Sequence, residues 1–144
     1  MADLASQIDA LEAARLEENK RLNAEREILL ARVPEKWEEM KVAFRLDCAS
    51  VSERSSRFSF QCDDVSPTVF CINNIVRGLA LRLVTLRFDR QIPAIFFQTH
   101  GHRPKSGSID FLVSGTSVFF ANGTSGVILP DFVLEVLMHV MKNN

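Results

Sequence analysis

Tyrosine is absent from this chain, so its aromatic core must be built from eleven Phe and Trp37. The side chain that most often carries a hydroxyl to the rim of an apolar site is therefore missing. With six Gly, the sequence has no glycine-rich phosphate loop and no G-x-S-x-G nucleophile elbow. The three cysteines, Cys48, Cys62 and Cys71, are odd in number and form no C-x₂₋₄-C pair. That pattern fits free, mostly buried thiols in a reducing cytoplasm better than a disulfide framework, and it gives no paired cysteine ligands for zinc. No apolar run approaches the ~18 residues of a membrane span, and the N-terminal stretch is charged without an apolar signal core. The expectation is a cytoplasmic chain with no membrane partner.

What is present starts with charge. The net charge is −1, but it is unevenly spread. Residues 1–40 hold ten acidic and six basic side chains, whereas residues 77–105 hold six basic ones against Asp89 alone. The basic segment is suited to an anionic partner, or to the acidic arm of the same chain.

Residues 57–128 form a series of short Phe-rich segments separated by Gly, Pro and Asn. Every second position, as in Phe58-Ser59-Phe60-Gln61-Cys62, in Ile95, Phe97 and Thr99 and in Ile109, Phe111 and Val113, is the period of a strand face. Val69–Ile72 is apolar on both faces and degrades at Asn73-Asn74. Leu79, Leu81 and Leu83 share a face, but the pattern then moves to Val84, Leu86 and Phe88, which predicts a bulge near Val84-Thr85 or a change of side at the sheet edge. Ser114–Ser117 turns the chain, and Asn122-Gly123 predicts a hairpin with both residues at positive φ. Five or six antiparallel strands in a meander follow.

Helices precede and follow the sheet. Residues 2–32, rich in Ala, Leu, Glu and Arg with no Gly or Pro, predict a long coiled-coil-like helix. Its four–three seam reads Leu4, Ile8, Leu11, Arg15, Glu18, Leu22, Glu25, Leu29, apolar at both ends and charged between. Pro34 is expected to end that helix and open a second over about 34–52, with Trp37, Met40, Phe44, Cys48 and Val51 packed on the sheet. Pro130-Asp131 starts a C-terminal helix, also packed on the sheet. The fold class expected is α+β, with residues 1–33 as an oligomerisation arm and 34–144 as the globular domain.

Candidate chemistry is sparse. His100 and His102 are weak metal candidates at the end of a strand, where turn histidines are usually solvated. Asp63-Asp64 are strand neighbours that point to opposite faces and cannot share a proton or a metal. No acid–base pair has a defensible spacing, so no enzyme and no cofactor is expected. The favoured reading is an interaction or self-assembly module using Leu4, Ile8, Leu11, Leu22 and Leu29, with a second copy or another helical protein as partner. The alternative is a small apolar-ligand domain with a cavity lined by Phe60, Phe97, Phe111 and Phe120. Least favoured is a nucleic-acid-binding sheet, which would use Arg82 and Arg87 as its anion contacts; an exposed Phe at 88, 96 or 119 beside them would favour it, and burial of all three would rule it out.

Overall fold

The computed structural model describes residues 3–144, and its architecture is α+β. A 51-residue helix, α1 (Leu4–Arg54), leads into a seven-stranded sheet and a closing helix, α2 (Leu129–Lys142). The strands are β1 (Phe60–Ser66), β2 (Val69–Val76), β3 (Leu79–Asp89), β4 (Ala94–Thr99), β5 (Ser106–Ser114), β6 (Ser117–Asn122) and β7 (Ser125–Gly126). Each pairs antiparallel with the next, so the sheet is an unbroken meander. Seven strands stand where five or six were expected, and two helices where three were.

The helix count differs because Pro34 lies inside α1 instead of ending it. A proline in a helix interior leaves the carbonyl four residues earlier without its donor. Here that carbonyl belongs to Leu30, and the Arg90 guanidinium, from the loop after β3, donates to it at 3.3 Å. Packing on both sides of the proline holds the helical path as well. Val33 and Trp37 are buried, and Ile28 and Leu29 lie against the core.

The extra strand and the longer β2 come from turns. Asn73 and Asn74 do not end β2, because their side chains are satisfied in place. Asn74 Oδ1 accepts from the Ser59 amide at 2.8 Å, and Asn73 Oδ1 accepts from Arg82 Nε at 3.4 Å. The strand runs on to Val76 and turns at Arg77 (φ 52°) and Gly78 (φ 77°), the two positive dihedrals of a primed hairpin. In the last hairpin Asn122 pairs with Ser125, so Gly123 (φ 67°) and Thr124 occupy the centre and Asn122 keeps strand geometry. Only Gly123 supplies the positive φ there, and the short β7 follows.

The predicted bulge is present, one residue before Val84. Ile72 pairs with Val84 and Asn73 with Arg82, which leaves Leu83 unpaired and buries it beside Val84. The slip also changes parity, so Arg82 shares a face with Thr85 and Arg87.

Both helices pack on one face of the sheet. Trp37 stacks on Phe88 at 5.6 Å and its indole N–H donates to the Pro67 carbonyl at 2.9 Å. Phe132 of α2 meets Phe44 of α1 and Phe97 of β4 edge-on, at 6.2 and 5.2 Å. Gly107 faces Phe97, and the ring lies so close that a Cβ there would meet it at 2.8 Å. On α2, Phe132, Val133, Val136, Leu137 and Val140 are buried while Leu134 and Met138 stay exposed. At ~1.5–3 kcal/mol per side chain, the five buried residues give a gross gain of roughly 7–15 kcal/mol before ordering costs. A polar clamp fixes α1 to β1. The Lys41 ammonium binds Glu38 at 2.9 Å and Asp64 at 3.3 Å, and Arg45 also binds Asp64. Burial disfavours the Lys41 charge, but the two carboxylates outweigh it and hold the amine above its ordinary pKa.

Candidate functional site

The sheet and α2 cover only the second half of α1. From Leu4 to Ala24 every residue of the helix is exposed. Leu4 and Leu11 are 69% and 71% accessible, and Ile8 and Leu22 are exposed with them. Leu29 differs, being half-buried against the core, so it marks the point where the seam enters the domain. The structure thus leaves four of the five expected contact residues along one bare line.

The arm carries ion pairs along its own surface. Arg21 donates to Glu25 at 2.9 Å and to both oxygens of Glu18, one of them through Nε at 3.0 Å. The Glu18 carboxyl is held below its usual range by the hydrogen bond from Arg21, and Arg21 is raised in return. Arg15, at the centre of the seam, has no carboxylate partner among the described residues.

The remaining candidates occupy other places. Phe97, Phe111 and Phe120 are buried and Phe60 half-buried, on the helix-covered face. Phe111 packs on Phe120 at 5.8 Å and Phe97 on Phe132, so these rings contact other rings instead of facing one shared space. Arg82 and Arg87 stand on the opposite, uncovered face. Arg87 lies 4.6 Å over the half-buried Phe96 ring, and a shallow hollow of about 420 Å³ beside them includes Val69, Thr85, Gln98 and Ser108. Phe88 is buried, and Phe119 is exposed elsewhere on that face, paired with Leu112 of β5. His100 Nε2 is 2.9 Å from Thr85 Oγ1, while His102 is exposed. No group of three His, Cys, Asp or Glu with metal-binding geometry occurs among the described residues, and none of their helices is long and apolar enough to cross a membrane.

Two features were not read from the sequence. Val42 and Leu46 form an exposed i, i+4 pair behind the core stripe, and with Ala43 and Leu129 they line an apolar hollow edged by Glu35, Glu38 and Glu39. Their spacing was visible, but an i, i+4 pair alone does not say which side the sheet takes. The second is the meeting of Cys48 on α1 with Cys62 on β1. Hydrogen bonding between the two thiols lowers Cys62 and raises Cys48, and Arg45 lowers Cys62 further. No spacing signals this pair, because it forms only when the helix docks. Compared with protein-family models, curated proteins and solved structures, the chain matches none of them.

Proposed function

We propose that this protein is a non-enzymatic interaction module that self-associates through the free half of α1. One observation carries the reading: the helix runs more than five turns beyond its own sheet, with Leu4, Ile8, Leu11 and Leu22 bare along one line. Helices in proteins draw most of their stability from packing an apolar face, and the apolar line on this arm is stabilised when a partner covers it. The test is the solution mass of the full chain and of a variant lacking residues 1–24, by sedimentation equilibrium. The expected result is a dimer that becomes a monomer on truncation. A monomer in both cases overturns the proposal.

A second reading has its own support. Arg87 over the half-buried Phe96 on the uncovered sheet face, with Arg82 brought to the same side by the Leu83 bulge, groups two cations with a partly open ring, the residue types a base- and phosphate-binding sheet uses. Titration with single-stranded RNA tests it, and Phe96→Ala should abolish any binding seen.

A further inference from the structure

The bare line of the arm and the core stripe of the domain are one face of one helix. Counting back from Met40 at about 3.6 residues per turn, Leu29, Leu22, Leu11 and Leu4 lie about three, five, eight and ten whole turns away. Met40, with Val33, Trp37 and Phe44, is buried against the sheet. The face that would meet a second helix along the arm is therefore the face that carries the protein's own sheet beyond Leu29.

This geometry decides how two copies can pair. If they lay parallel and in register, both would point their sheets into the space between the helices. Arg15 would also meet Arg15 and Glu18 would meet Glu18 at the centre of the seam, and like charges at facing positions are destabilising. Reversing one copy removes both conflicts. The second helix then begins where the first enters its sheet, and the two domains stand at opposite ends.

Resting on the self-association reading above, we propose that the arm pairs antiparallel with a second copy of this chain, Arg15 of each copy facing Glu18 of the other. The four–three spacing then sets Leu11 against Leu22 and Leu4 against Leu29 of the second copy. The overlap from Leu4 to Leu29 is about 38 Å at ~1.5 Å per residue. Glu25 packs its methylenes on Ile8 while its carboxylate stays with Arg21. Arg15, which has no carboxylate partner among the described residues, gains one.

The orientation and the association are tested separately on the full chain. Leu11→Cys and Leu22→Cys variants, oxidised alone and as an equimolar mixture, should form an intermolecular disulfide only in the mixture. Arg15→Glu and Glu18→Arg should each weaken dimerisation by roughly tenfold or more, and the double exchange should restore it. These positions are exposed, so the domain folds in every variant. Self-crosslinking of Leu22→Cys alone, or a dimer indifferent to Arg15→Glu, overturns the antiparallel orientation and leaves self-association standing. A wild-type chain that stays monomeric at about 100 µM overturns both.

Discussion

Among single residues, the neighbouring free thiols Cys48 on α1 and Cys62 on β1 carry the clearest chemical consequence. Cys71 and Cys48 are buried, while Cys62 is partly open and has its pKa lowered by the hydrogen bond to Cys48 and by the Arg45 charge. The thiolate is the nucleophile, so a lowered pKa populates the reactive form at lower pH. Cys62 is expected to alkylate first of the three at neutral pH. Its labelling rate should rise at a lower pH in the wild type than in Cys48→Ala, where the hydrogen-bond donor is gone. Mass-spectrometric mapping of iodoacetamide labelling against pH checks this, and identical profiles for the two proteins would refute the hydrogen-bonded pair. Sequence reading treated these cysteines as small buried hydrophobes, which holds for Cys48 and Cys71. Cys62 escaped because its reactivity depends on a neighbour in another element.

Individual elements show where local rules were sufficient and where they were overridden. Alternation at Phe58–Cys62, Ile95–Phe97 and Ile109–Phe111 identified strands, because a period of two follows directly from the pleat. The shift from Leu83 to Val84 identified the bulge for the same reason. Pro34 misled, because the rule that proline ends a helix assumes the freed carbonyl finds no other donor. Arg90 lies far away in the sequence and meets Leu30 only once the β3–β4 loop has folded over α1. Coupling between the two residues follows. Pro34→Ala should stabilise the chain by about 1–3 kcal/mol. Arg90→Ala should cost about 0.5–1.5 kcal/mol in the wild type and close to nothing in the Pro34→Ala background, where the restored backbone N–H supplies the helical donor. A double-mutant cycle in urea measures it. Strictly additive effects would show that Arg90 does not relieve Pro34.

On the scale of the molecule, the part of α1 that builds the core and the part proposed for assembly are separate stretches of one helix. The described residues of the arm up to Ala24 are all exposed, so removing residues 1–24 should leave the thermal midpoint of the monomer within about 1–2 °C of the full chain. Calorimetry at concentrations too low for association checks this. A fall of about 5 °C or more would mean that the arm leans on its own domain. The long leading helix was legible in a stretch rich in Ala, Leu, Glu and Arg with no Gly or Pro. What single-chain periodicity could not give was the alignment of its seam with the core stripe, because the expected break at Pro34 hid the continuity of the helix.

The order of the meander has a consequence for how the chain is made. Every strand pairs with the one synthesised just before it, so the sheet can zip up progressively as the ribosome delivers it. The long helix is delivered before the sheet, yet its core stripe is completed by β5, β6 and α2, which emerge well after it. Throughout translation Trp37, Met40 and Phe44 wait without their final cover. Two nascent chains growing side by side on one messenger would present unpaired arms to each other before either has closed its own core.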